Sequence, residues 1–425
     1  MKRAIAAAVL IGASVFVVSC GSYNSPSTTN SGSTSGLKFR AFVSNPLSPV
    51  SGGGGVAALN IVDASKDHLA PQGVNLSGSV AQAGAMAVSP DKKFTMVYSP
   101  STASLVLVDN TSEAVVASGS TSTLPPVVLP GQTESFFVAK FNTEGYAAVP
   151  TAPVLGQSPG AVVRIALSSA AINATIPIPA VRFIVESHDG NTILAMADNS
   201  NVVSVIAPSL IGTSNPVTTI CCFDHPVSGV FSADDATAYI LNCGPECGGS
   251  AASVSVVDLA TATITSNIPV SAATKGLISG NTLYVAGTAP GTACGAGTIA
   301  TSCGTLTFID LGSVAVTGST TITDGYHDRM ELANGQVFVG AHNCTNLTDP
   351  KVEVRGCLSI YNPSNSKVTV PPDNGDVTGI EPITNRTVVY VCEGGNLRIY
   401  DTTTDVLQST QIDIIGQAID VKLVD

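Results

Sequence analysis

The stretch from Ala85 to Ser118, AMAVSPDKKFTMVYSPSTASLVLVDNTSEAVVAS, constrains the fold more than any other. It reads as four short strands in series, Ala85 to Ser89, Phe94 to Tyr98, Ser104 to Val108 and Ala114 to Ala117, separated by Pro-Asp-Lys-Lys, Ser-Pro-Ser-Thr-Ala and Asp-Asn-Thr-Ser-Glu. Each run has the length of a globular strand and is bounded by turn-forming residues. The unit is therefore one antiparallel four-stranded sheet. Such a sheet has two faces to bury, and units of this kind recur by stacking on one another.

The unit recurs eight times. Third strands align most readily because most end in Asp or Asn: Leu59 to Asp63, Leu105 to Asp109, Val162 to Ala166, Val203 to Ala207, Val254 to Asp258, Leu306 to Asp310, Leu358 to Asn362 and Leu397 to Asp401. The mean step is about 48 residues, the size of one propeller blade. Second strands beginning at Phe39, Phe94, Gly145, Thr192, Thr237, Thr282, Gln336 and Thr387 agree. Tight turns such as Pro90-Asp91-Lys92-Lys93, His188-Asp189-Gly190-Asn191 and Asn334-Gly335 precede several of them, as hairpins require.

The first unit lacks a first strand, whereas Gln417 to Val424 is a spare strand after the last. The fold class expected is all-β: an eight-bladed β-propeller over residues 37–425, closed by the C-terminal strand pairing into the first blade. Closure removes the open sheet edges. Seven blades, with one degenerate unit miscounted, and a tandem of immunoglobulin-like sandwiches are the structural alternatives.

The repeat resembles the YVTN/YncE-like β-propeller repeat. Ala87-Val88-Ser89-Pro90-Asp91-Lys92, Leu283-Tyr284-Val285-Ala286 and Val254-Ser255-Val256-Val257-Asp258 stand where that family has VAVSPDGK, LYVAN and VSVIDT. The resemblance implies the fold and not a function. Familiar members often have seven blades, so an eighth is a departure.

The N-terminus reads as an export signal. Lys2 and Arg3 precede an apolar run, Ala4 to Val18, too short to span a bilayer. Val17-Val18-Ser19-Cys20 resembles the bacterial lipobox, which implies a signal peptide over residues 1–20 and lipidation of Cys20. Residues 21–36 are mostly Ser, Thr, Gly and Asn. They read as a tether reaching roughly 20–24 Å. The expected address is the cell envelope, held through the lipid. Gly21 stands where many inner-membrane lipoproteins carry Asp, which favours the outer membrane or cell surface of a two-membrane cell. The net charge of −12 repels nucleic acid and anionic headgroups, so neither is a partner of the folded body.

If strands alternate, the long segments Asn45 to Gly55, Gly119 to Thr133, Pro150 to Gly160, Cys243 to Ser250, Gly287 to Gly304 and His342 to Gly356 nearly all fall on one face, where function is expected. Three cysteine pairs, Cys243 with Cys247, Cys294 with Cys303 and Cys344 with Cys357, lie within single loops of that face. In an exported chain these read as disulfides contributing roughly 2–3 kcal/mol each. Cys221, Cys222 and Cys392 remain, with two arrangements open: a vicinal Cys221–Cys222 bridge, or a bond from one of them to Cys392. A vicinal pair on eight blades weakly resembles quinoprotein alcohol dehydrogenases, but the chain has no Trp for their docking motifs.

Asp224, His225, Asp324, His327, Asp328 and Arg329 gather at blade entrances, with His342 nearby. Glu134, Arg182, Lys275, Arg329 and Glu381 open the first strands, giving a mixed-charge ring at the channel mouth. Such a ring suits a small polar ligand, and a divalent metal is the candidate cofactor because His and carboxylate are ordinary ligands. The bland alternative is a set of solvated loop residues and charge pairs. No nucleophile elbow, phosphate-binding loop or His-Glu-x-x-His helix is present. The expectation is a binding or assembly module whose partner is an envelope protein or a small polar ligand. The rival from another class is a lactonase-like, metal-assisted hydrolase using Asp224, His225, His327, Asp328 and Glu381.

Overall fold

The computed structural model describes residues 35–49, 55–118, 122–291, 303–345, 347–348, 354–372 and 375–425. Eight antiparallel sheets follow one another along the chain. Blade 1 contains Arg40–Pro49, Gly55–Asp63 and His68–Asn75; blade 2 contains Met86–Val88, Phe94–Ser99, Ser104–Asp109 and Ala114–Val115. Blades 3 to 5 begin with the inner strands Ser135–Val138, Val181–Glu186 and Pro226–Phe231, and blades 6 to 8 with Lys275–Ser279, Tyr326–Ala333 and Val377–Pro382. Neither the seven-bladed count nor a sandwich tandem fits this series.

The turn chemistry repeats with the blades. Between first and second strands, the Ser89 hydroxyl donates to Asp91 (2.8 Å) and accepts from the Phe94 amide (2.9 Å). Ser187 with Asp189 and Ser232 with Asp234 make the same turn in blades 4 and 5. Between third and fourth strands, the terminal Asp accepts from the next turn's amides: Ser65 on Asp63, Ser112 on Asp109, Ser313 on Asp310 and Thr403 on Asp401. These side chains satisfy turn amides that the ladder leaves unpaired.

One strand departs from expectation. Ala114 to Ala117 is shortened to Ala114–Val115; Ala117–Ser118 pairs with Ser122–Thr123, and Val127–Val128 takes up the other end of the third strand. Pro125 and Pro126 carry no amide proton for a ladder, so this outer edge is split.

The middle strands are apolar on both sides because both sides are buried. In blade 4, Ile193 and Ala195 pack toward blade 3, while Leu194 and Met196 pack toward blade 5. The buried residues accordingly form eight clusters, each spanning the boundary between successive blades and the last joining blade 8 to blade 1. The small side chains Ala147, Ala195 and Ala286, all fully buried, let twisted sheets approach closely without the bulk of Trp.

The expected closure is present. Asp420–Leu423 forms the innermost strand of blade 1, pairing Ala41 with Leu423, Phe42 with Lys422, Val43 with Val421 and Ser44 with Asp420. The ring is an eight-bladed β-propeller. Arg40 fastens the join: its Nε and Nη2 donate to Asp425 (2.8 and 2.6 Å), and its Nη1 donates to Glu113 of blade 2 (2.7 Å). Arg386 of blade 8 donates through Nη2 to Asp67 of blade 1 (2.7 Å), and the Tyr390 hydroxyl bonds the same carboxylate.

Glu113 is 2% exposed in its side chain and Asp425 23%, so the two partners of Arg40 differ in cost. Arg40→Met strands a buried carboxylate and is expected to lower unfolding free energy by about 3–5 kcal/mol; Asp425→Asn is expected to lower it by distinctly less. Equilibrium urea unfolding of both variants tests this ranking, and a reversed order contradicts it.

Candidate functional site

Inner strands run from the long-loop face toward the short-turn face, so their first residues surround the channel mouth. There a cavity of about 260 Å³ is lined by Glu134, Arg182, Asp198, His225, Cys247 and Tyr326, among others, from blades 3, 4, 5 and 7. Arg182 organises it. Its Nη1 donates to Glu134 (2.6 Å) and its Nε to both oxygens of Asp198 (2.7 and 2.8 Å). The Asp198 hydrogen bond, opposed by burial, raises the guanidinium's proton affinity. Two carboxylates thus hold one fixed cation at the rim. His225 has φ +57° at the start of blade 5 and turns its ring into the cavity wall.

The other sequence candidates fall into separate groups. Asp224 is a loop clamp: its carboxylate accepts from the amides of Ser250 (2.9 Å) and Ala251 (2.7 Å) and from the Ser250 hydroxyl (2.5 Å). Those bonds, led by the Ser250 hydroxyl, hold it down to about 2. Gly249 fits beside it because a Cβ there would lie 2.2 Å from an Asp224 oxygen. His327 is fully buried, with Nε2 3.0 Å from the Thr323 carbonyl. Burial lowers it to about 4, so it is a neutral donor inside the fold.

Asp328 and His342 do meet, 3.0 Å apart, and Arg329 Nη1 donates to the same carboxylate (2.8 Å). The Asp328 hydrogen bond raises His342 against burial. Among the described residues no three His, Cys, Asp or Glu side chains converge as a metal site. The expected ring is also corrected. The inner strands of blades 7 and 8 begin at Tyr326 and Val377, earlier than their charges suggested. Arg329 and Glu381 therefore lie down the channel, while Glu134 and Arg182 line the mouth cavity and Lys275, though first in its strand, is outside that wall. Glu381, 3.8 Å from Lys422, is pushed up to about 6 by burial.

Cys243–Cys247 and Cys344–Cys357 are disulfides with Cα atoms 5.8 and 5.5 Å apart. Cys303 is disulfide-bonded; Cys294 lies outside the described residues. Neither arrangement expected for the remaining three is present. Cys221 and Cys222 are exposed free thiols with Sγ atoms 2.7 Å apart, beyond the roughly 2.05 Å of a bond. Cys392 is buried between blades 8 and 1, across the ring from them.

Two residues of this face, one of them in the cavity wall, were not singled out from sequence. Tyr326 lines the cavity, and its register as the first residue of an inner strand was the available signal. Glu246 sits in the turn Gly244–Cys247, pinned by the Cys243–Cys247 bridge, and its Oε2 accepts from the Thr288 amide (2.9 Å). Burial pushes it up to about 7.

No protein-family model matches the chain, and no curated protein matches it. Solved structures do. "Dihydro-heme d1 dehydrogenase NirN in complex with DHE" is 13% identical, with 91% of this chain and 75% of that one covered at a TM-score of 0.56. A structure described as a eukaryotic initiation factor is 12% identical, covering 91% and 98%, with a TM-score of 0.52. The kinship is one of fold. A functionally unknown protein from Desulfotomaculum acetoxidans, at 11% identity and 0.49 over 91% and 98%, adds nothing finer.

Glu246 yields a pH dependence. Its folded value near 7 exceeds its ordinary 4.5, so the stability it carries is full below about 4.5 and is lost as pH rises through 7. Glu246→Gln is expected to flatten the decline in denaturation midpoint across that window; an unchanged slope contradicts the assignment.

Proposed function

We propose that this protein is an exported, lipid-anchored binding module whose long-loop face takes a small polar, hydroxyl-rich ligand at the channel mouth. The observation that carries this reading is the cavity built on Arg182 between Glu134 and Asp198, with Tyr326 and His225 on its walls. Fixed donors and acceptors around an aromatic wall are the usual equipment of a small-molecule site. The volume suits one small ring. The hydrolase alternative is less favoured: His225 Nδ1 does meet Asp224 Oδ1 at 3.2 Å, but His327, Asp328 and Glu381 belong to other local networks and no three such groups converge among the described residues.

Export and anchoring rest on the lipobox-like Val17-Val18-Ser19-Cys20 and on the disulfides. Among the described residues no helix is long and apolar enough to cross a membrane. Ser35 donates through its hydroxyl to Glu113 (2.6 Å), which sits in a third-to-fourth-strand turn. Ser35 therefore sits at the short-turn face, opposite the cavity.

A second reading, a protein partner on the same face, is favoured by its exposed apolar residues. Leu47, Val128, Leu155 and Ile415 are 57%, 68%, 102% and 40% exposed, and all lie at the long-loop end of blades 8, 1, 2 and 3. Large exposed apolar groups gathered on one sector mark interaction surfaces.

A monosaccharide panel, screened by saturation-transfer NMR on the mature chain, tests the ligand reading. Tyr326→Phe and Arg182→Met are expected to weaken any hit at least tenfold, and Leu47→Ser with Leu155→Ser to leave it unchanged. The reverse pattern, with cross-linking to an envelope protein lost in the leucine variant, favours the protein partner. Cys20→Ser is expected to move the chain from membrane to soluble fractions; retention in the membrane fraction contradicts lipidation.

A further inference from the structure

On the short-turn face one blade breaks the pattern. In seven blades the third strand passes to the fourth through four residues, as at 110–113 of blade 2 and 259–262 of blade 5, whereas blade 4 uses residues 207–216. This longer connection is braced by its own bonds. The Ala207 amide donates to the Pro216 carbonyl (3.0 Å), and the Thr213 amide and hydroxyl both donate to the Leu210 carbonyl (3.0 and 2.8 Å). Its first residues form the short helical turn Pro208–Leu210. Pro208 and Ser209 wall a cavity of about 200 Å³ in the cleft between blades 3 and 4, completed by Phe141 and Glu144 of blade 3 and by Glu186 and Gly190 of blade 4, among others.

The charge of the lining is one-sided. Glu144 and Glu186 contribute carboxylates, and no Lys, Arg or His lines the cavity. Glu144 is answered in part: Arg164 Nε lies 3.4 Å away but donates to Asn173 (2.9 Å), and the Tyr146 hydroxyl donates to the other Glu144 oxygen (3.1 Å). Glu186 Oε2 accepts from the Lys140 amide (2.8 Å). Among the described residues Glu186 Oε1 accepts no hydrogen bond, and the side chain makes no ion pair. Lys140 is exposed and outside the lining, and at longer range it and Asp189 act on Glu186 with opposite sign. Burial disfavours the Glu186 charge, so a partly desolvated carboxylate stands without a counterion, which is costly.

An aromatic ring completes the arrangement. Phe141 is 64% exposed, yet its ring rests against the backbone of Gly190, where φ is +76° and a Cβ would come 3.0 Å from Phe141 Cε2. The ring is thus seated on one side and open on the other. An open aromatic face beside carboxylates attracts ammonium groups, through the negative face of the ring as well as the acidic charge.

We infer that this cleft binds a small organic ammonium ion, its cationic head between Glu186 and Glu144 and its alkyl part against the Phe141 ring. Glu144, Glu186 and Arg164 together leave one negative charge, which a monovalent cation cancels. The volume suits an ion of headgroup size and is below that of a drug-sized pocket. The cleft lies on the face opposite the mouth cavity and shares no lining residue with it, so either site can fail without the other.

The test is calorimetric titration of the mature chain at constant ionic strength, with choline chloride in one arm, ethanolamine hydrochloride in the other and the uncharged carbon isostere of choline as reference. Saturable binding of at least one ion is expected, clearly tighter than that of the isostere, and the responding arm tells a methylated head from a primary one. Glu186→Gln is expected to weaken that binding by roughly tenfold and Phe141→Ser by roughly threefold or more. Asp310→Asn, which removes one charge from the same face of blade 6, is expected to leave it unchanged. Phe141 lies at the surface, so its variant decides the matter if Glu186→Gln does not fold. No saturable binding in either arm, an isostere bound as tightly as the ion, or parent-like affinity in either folded variant would each overturn the site.

Discussion

The structure depends on sheets that are apolar on both faces. A middle strand such as Ile193–Ala197 sends alternate side chains into two different clusters, so no blade has an outer face that tolerates water. A row of such sheets has two costly ends. Joining them removes both, and the chain does so by placing Asp420–Leu423 inside the first blade. Backbone pairing supplies the join, and the charged bonds of Arg40 and Arg386 lie on either side of it. Because Asp420 also accepts from the Met86 amide of blade 2 (2.8 Å), the closing strand is tied to both of its neighbours.

The same construction separates support from variation. On one face, turns are short and their polar atoms are consumed by local bonds such as those of Ser89 and Asp91 or Asp310 and Ser313. Neighbouring blades are clasped there as well: Asp235 of blade 5 accepts from the amides of His188 and Asp189 in blade 4. The opposite face carries the long connections, and disulfides pin two of them. The candidate cavity lies on that face because only there can loops of different length meet over the channel.

Much of the fold was legible because its signals are local. Third strands ending in Asp, Ser-x-Asp turns and an orphan terminal strand each report chemistry that operates over a few residues. The site was less legible because it depends on depth and convergence. Arg329 and Glu381 were placed at the mouth, since a charge looks like a strand boundary when the channel-facing positions of an inner strand are themselves polar. His327 looked like a ligand, yet its burial beneath Gly304, where a Cβ would come 2.6 Å from the ring, makes it a packing residue. Glu246 and Tyr326 gave weak signals: burial beside a disulfide-pinned turn, and the first register position of an inner strand, emerge only when blades are set side by side.

The channel's electrostatics vary along its length in a way net charge conceals. At the mouth, Arg182 faces Glu134 and Asp198, a local excess of one negative charge that disfavours anions. One tier further in, Arg329 and His342 hold the Asp328 carboxylate. Deeper still, Lys422 is answered by Asp420 and Glu381, while burial pushes Glu381 up to about 6. An anion entering from the long-loop face would thus be resisted at the rim, whereas a neutral hydroxyl-rich ligand is indifferent to that charge.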